Sequence, residues 1–350
     1  MKLSGLILFT FLLFVSNISA GIRPSFTLDT CSWNATHIVI ATEGEEIDGK
    51  FTILESLKGD LNYGETVYIP EFASFKEESL RQVKEWNSEN PLSSKYVSGA
   101  RMILFLKKNP NSKQLWESAD PFKEFKVSVV WIEGADTFAF IQTMNPGSSI
   151  LVEYGKAETE IKDQISEIAE LENSLDGVLK IEDKTQRARQ LEKFAISDFY
   201  LAREKAFDEF KNCGENALPV LRKMLADESL LKIHGEVIES LTVVGGGEVG
   251  NDLTEIVKQE MKFWKETAPS LKIDWWNEIN KPETEILRNR YAKVLEAIRQ
   301  LTELKFVKSK KAVTQFRNFW RSLPQLQDNR GLDQMSAECD DLLRELNSKN

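Results

Sequence analysis

Two histidines, His37 and His234, and three cysteines, Cys31, Cys213 and Cys339, are the whole supply of imidazole and thiol in this 350-residue chain. Cys31 stands close enough to His37 in sequence to suggest a thiol with a base beside it, the pairing that makes a cysteine nucleophilic. Against that, His37 opens an apolar run of strand type, and a cysteine in an exported chain more often serves structure. No G-x-S-x-G elbow, H-E-x-x-H helix or C-x-x-C pair occurs, so serine-hydrolase, zincin and dithiol chemistry lack their parts. Gly245-Gly246-Gly247-Glu248-Val249-Gly250 has the glycine density of a phosphate cradle. A phosphate loop follows a strand, however, and this run follows a helical pattern, which makes it a turn between helices. No cofactor or metal is expected. Carboxylate groups such as Asp340-Asp341 and Glu43-Glu45-Glu46 miss the alternating spacing of a calcium loop. Two carboxylates distant in sequence could still be folded together as a glycosidase pair.

Aromatic side chains offer a different chemistry. Phe263-Trp264, Trp275-Trp276 and Phe319-Trp320 gather four of the eight tryptophans in one helical region. Tryptophan joins a large apolar area to an N–H donor, which suits it to anchoring a sugar or a protein partner. Trp264, Trp275 and Trp276 are therefore the candidate partner contacts, with helix–loop packing as the other reading. An odd number of cysteines leaves one thiol free or paired with another chain. Cys213 and Cys339, both in the C-terminal half, form the candidate disulfide, worth up to about 4–5 kcal/mol for so long a loop. Three buried thiols would fit equally well.

Lys2, the apolar run Leu6 to Val15 and the small residue Ala20 have the order of a secretory signal peptide. Cleavage is expected after Ala20, giving a secreted or periplasmic protein without stable membrane insertion. The formal charge of -10 argues against a general nucleic-acid binder, since neutralising phosphates takes concentrated Lys and Arg. The one basic run, Lys305 to Lys311, reads as a solvated loop between helices.

The elements that must hold these groups change period along the chain. From His37 to about Thr143, short runs rich in β-branched and aromatic residues alternate with turns: 37–42, 50–54, 65–70, 101–106, 126–132 and 137–141. Asp48-Gly49 marks a hairpin, and a helix is expected over Lys76 to Trp86. Cys31, then Ile38-Val39-Ile40-Ala41, then Phe51 to Gly59 with its Lys58-Gly59 turn, then Gly64 to Val67 and Gly99 to Leu106, together resemble the netrin-like, TIMP-like OB-fold modules. The resemblance implies a small β-barrel that binds through its loops. In tissue inhibitors of metalloproteinases the mature chain opens on a zinc-chelating cysteine. Here the expected start is Gly21, so the resemblance implies the fold rather than protease inhibition.

After Asn145-Pro146-Gly147-Ser148-Ser149, apolar residues recur at helical spacing: Ile161, Ile165, Ile168 and Leu175; Leu191, Phe194 and Ala202; Leu287, Tyr291, Val294, Ile298 and Leu301. Residues 216–227 and His234 to Val244, with the start of a third helix near Asn251, resemble a HEAT-type helical hairpin. The expected fold is α+β in two domains: a signal peptide over 1–20, an OB-like barrel over 21–147 and an all-α domain over 148–350. The expected role is a secreted, non-enzymatic binding or scaffold protein acting on a protein or envelope glycan. A carboxylate-based polysaccharide hydrolase is the alternative, with a protease inhibitor third.

Overall fold

The computed structural model describes residues 28–43, 50–69, 101–108, 116–118, 125–133, 136–143, 149–271, 281–323 and 330–348. The expected signal peptide, the Asp48-Gly49 turn, the helix over 76–86 and the Trp275-Trp276 pair lie outside them. The chain forms two compact units, Met1–Glu172 and Asn173–Asn350.

The first unit opens with α1 (Leu28–Asn34) and continues through β1 (His37–Glu43), β2 (Lys50–Lys58), β3 (Thr66–Tyr68), β4 (Arg101–Lys108), β5 (Trp116–Ser118), β6 (Phe125–Glu133), β7 (Asp136–Thr143) and β8 (Ser149–Ala157). The sheet runs β3-β2-β1-β4-β6-β7-β8, with β5 also on β4. Every pairing is antiparallel. Its first four strands in that order curl into a half-barrel. Two register shifts between β1 and β2, at Ile38/Val39 and Ile40/Ala41, add the local twist that such curling needs.

Because side chains alternate across a strand, β1 and β4 feed two cores. Ile38, Ile40, Ile103 and Phe105 pack with Leu28 and Cys31 of α1 and with Ile161 and Ile165. Val39, Ala41, Met102 and Leu104 pack with Phe51, Ile53 and Val67. Strands buried on both faces must be apolar throughout, which is why these two read as continuous hydrophobic runs. Ser149–Ala157 pairs with β7, so strand is present past the expected boundary at 147/148. Helix begins only with α2 (Glu158–Leu179), and the division between units falls inside α2.

The second unit continues with α3 (Lys184–Ala195), α4 (Tyr200–Cys213), α5 (Leu218–Ala226), α6 (His234–Gly245), α7 (Gly250–Thr267), α8 (Pro282–Glu303), α9 (Lys310–Arg321) and α10 (Arg330–Asn347). Among the described residues these pack as four successive helix pairs, called hairpins below: α3 with α4, α5 with α6, α7 with α8, and α9 with α10. The second helices also touch in succession, α4 on α6, α6 on α8 and α8 on α10, while α7 meets α9. The local signals are ordinary ones. Asp183 caps α3 by accepting from the Thr185 and Gln186 amides at 2.8 and 2.9 Å, and Pro219 sits in the first turn of α5. The triple glycine is the expected inter-helix turn. Gly246 has φ +51°, and a Cβ on Gly245 would lie 2.4 Å from Val249. Among the described residues, no helix is long and apolar enough to cross a membrane.

Candidate functional site

The densest group of buried ionisable side chains lies where the second and third hairpins meet. Helix α7 contributes Glu260, α8 contributes Arg290 and Lys293, the 3₁₀ turn Glu228–Ile233 contributes Glu228, and α6 begins at His234. Arg290 Nη1 donates to Glu260 Oε1 at 2.9 Å, and its Nη2 donates to Glu228 Oε2. Lys293 Nζ donates to Glu228 Oε1 at 3.2 Å and lies 3.4 Å from Glu260 Oε1. Each cation therefore bridges both carboxylates, and the four formal charges cancel. The guanidinium of Arg290 also sits over the Phe263 ring, 4.1 Å from its centroid, an additional attraction to the ring quadrupole.

Burial sets the electrostatics. Glu260 is 1% exposed, and desolvation pushes its carboxyl above the usual range, against the pull of Lys293 and Arg290. Its Oε2 has no hydrogen-bond partner, nor has Arg290 Nε. His234 is fully buried, and both burial and the charge of Lys293 hold its imidazole below the ordinary value. Its Nε2 bonds to the Asp227 carbonyl at 3.0 Å, so the neutral ring donates there. Asp227 in turn accepts from the Ser229 hydroxyl and amide at 2.6 and 3.0 Å, which lowers its own value.

This arrangement can store a proton and hold two hairpins in register, but Glu260 has almost no surface on which to meet a substrate. A general acid must come within hydrogen-bond reach of its substrate, and only Glu228 of this group is largely exposed. Among the described residues, no cluster of three or more His, Cys, Asp and Glu is placed to hold a metal ion.

His37 belongs to a separate polar cluster in the first unit. Its Nδ1 meets Thr36 Oγ1 at 3.0 Å and its Nε2 meets Asp60 Oδ1 at 2.6 Å. Hydroxyl, imidazole and carboxylate stand in the order of a relay, but Thr36 Oγ1 also reaches the Leu106 carbonyl, at 3.2 Å, which competes for its proton. The ring is also clamped. Gly59, at φ +92°, runs so close that a Cβ there would lie 2.3 Å from His37 Cδ2. Beside it Lys58 Nζ donates to the Ser32 carbonyl at 2.9 Å and pairs with Glu172.

Two sequence expectations need correction. Trp264 is 0% exposed. Its ring lies 5.4 Å from that of Trp320, which stacks on Phe316 at 5.6 Å and faces Tyr291 at 5.8 Å. It is a core residue joining α7, α8 and α9 and presents no face to a partner. Cys213 and Cys339 are free, buried thiols, one ending the first hairpin and the other inside the fourth, with two hairpins between them in the series. Burial raises both thiols, Cys339 to about 12. Cys31 is likewise buried, in the core with Leu28, Ile38, Ile40 and Phe105, which leaves its sulfur no surface on which to meet a substrate.

Sequence reasoning missed Glu260, Arg290 and Lys293, although Glu260 left a signal: it stands four residues after Ile256 and four before Trp264, inside the buried stripe of α7. The protein matches no known family model, no curated protein and no solved structure.

Proposed function

We propose that this chain is a secreted, non-enzymatic binding or scaffold protein, with an OB-type, netrin-like module followed by a HEAT-like helical array. The series of four hairpins carries the reading. Arrays of this kind bury their cores between neighbours and offer extended concave surfaces to partners. The placement of the reactive side chains supports it: His234 and the three thiols are buried, and Glu260 is enclosed by its cations. In the first unit, β1 shared between β2 and β4 is the order an OB barrel uses, and β6 to β8 extend it beyond five strands. The partner is a protein or an envelope glycan.

The test is capture from the extracellular fraction of the native source on immobilised full-length protein. A partner retained by the wild type and lost in Trp275→Ala/Trp276→Ala, with an unchanged circular dichroism spectrum, supports the reading. Turnover of any member of a polysaccharide panel, abolished by a single Asp or Glu substitution, replaces it with the hydrolase.

A further inference from the structure

The turn between α8 and α9 differs from the other connections among the described residues. Lys305 adopts φ +50°, the one left-handed non-glycine residue among those described. That reversal drops the Phe306 ring onto Gly250, where a Cβ would approach it to 2.3 Å. The Phe306 carbonyl then accepts from both the hydroxyl and the amide of Ser309, at 2.7 and 3.1 Å. Phe306 is thus an anchor, and the next residue is thrust outward: Val307 is 59% exposed. Around it, Lys308 and Lys311 are exposed and Lys310 is half-buried. Lys305 pairs with Glu345 at 3.5 Å, and Arg317 and Arg321 share Asp340. Among the described residues, Lys308, Lys310 and Lys311 have no such carboxylate. In a chain of formal charge -10, three neighbouring unneutralised cations around an exposed apolar apex form a local exception to the acidic surface.

We propose that this turn and the first residues of α9, Val307 with Lys308, Lys310 and Lys311, dock the protein peripherally on an anionic lipid surface. Lysines beside a membrane gain from the potential of acidic headgroups, and their stems can lie along the interface while the ammonium stays hydrated. Val307 decides between a bilayer and a soluble polyanion. A sulfated glycan or a nucleic acid gains nothing from an exposed valine, whereas the headgroup boundary takes up a small apolar side chain. The acidic remainder of the chain does not cancel the patch, because charges more than about 8 Å away are screened at physiological salt. Glu303, exposed just before the turn, weakens the patch without neutralising it. Each lysine is worth about fivefold in partitioning, so the three give on the order of a hundredfold preference for anionic over neutral vesicles.

The experiment is co-sedimentation of the full chain with phosphatidylcholine vesicles, with and without phosphatidylglycerol. Binding is expected only to the phosphatidylglycerol vesicles, and it should weaken as salt is raised. Lys308→Glu/Lys311→Glu should lose at least about 25-fold, and Val307→Asp should also lose binding. All three positions are on the surface, so circular dichroism should be unchanged. Equal sedimentation with both vesicle types, absence of binding to either, or wild-type binding by Lys308→Glu/Lys311→Glu overturns the proposal. So does a Val307→Asp variant that keeps full binding, or a soluble sulfated polysaccharide that binds the turn directly in calorimetry. Failure here leaves the scaffold reading intact, because that reading is tested with soluble partners.

Discussion

Lys293 is the least exposed cation of the buried network, at 3%, and it faces both Glu228 and Glu260. Removing one partner of such a network leaves a desolvated charge behind. Lys293→Met is therefore expected to cost about 3 kcal/mol at neutral pH, somewhat less than an isolated buried pair because Arg290 remains. The cost should shrink in acid. Glu260 binds its proton more tightly in the folded state than unfolded, so it becomes neutral above its ordinary value of 4.5 and then has less need of Lys293. Denaturant titrations of both proteins between pH 4 and 7 check this; a constant difference across that range sinks it. His234 contributes the opposite slope in the wild type. Its lowered value means the unfolded state takes up the proton first, so stability falls as pH drops below about 6.5. Glu260 raises stability over the acid part of the same window. His234→Gln, whose amide can still donate to the Asp227 carbonyl, should remove only the histidine slope. The thiols behave more simply. With all three buried, native protein should react negligibly with maleimide and denatured protein should react at all three cysteines without reductant; an intact Cys213–Cys339 disulfide would leave one. None of the network was read from the sequence, because periodicity marks Glu260 as lying on a buried face without saying which distant residues neutralise it.

The elements show where local patterns suffice. β1, β4, α5 and α6 carry both their propensity and their boundaries, with Pro219 near one start and Gly246 after one end, so they were legible. The strand over Ser149–Ala157 was not, since the Asn145-to-Ser149 turn cluster serves a hairpin and an inter-domain linker equally well, and only the pairing with β7 shows the strand. The number of hairpins was also hidden. Only α5 with α6 announces itself by proline, glycine and spacing, whereas α9 and α10 become a pair through packing. At this scale the informative residue is Gly250. It begins α7 and lies under Phe306, so Gly250→Ala gains helix propensity but drives a methyl into the ring. Overpacking should win, with a loss of about 1–3 kcal/mol. Gly250→Ala combined with Phe306→Leu should recover part of that loss in thermal unfolding, and no recovery would mean that the ring is not what the methyl meets.

Each unit can be followed through buried residues of its own. Ile38, Phe105 and Ile165 belong to one core and Val39, Phe51 and Leu104 to a second, both within the first unit. Trp264, Trp320, Phe316 and Tyr291 belong to the helical unit. Trp264→Ala removes a fully buried indole and should cost the helical unit about 3–5 kcal/mol, a large share of the stability of a unit that size. Hydrogen exchange separates the units within one protein. Amides of α7, α8 and α9 are expected to lose protection while those of β1 and β4 keep it. The same measurement bears on the tryptophan's role. If Trp264 were a surface contact, its removal would leave exchange unchanged everywhere and affect only partner capture. Losses confined to the helical array would show that the tryptophan cluster is spent on joining hairpins, leaving recognition to the outward-facing residues of the array and of the half-barrel.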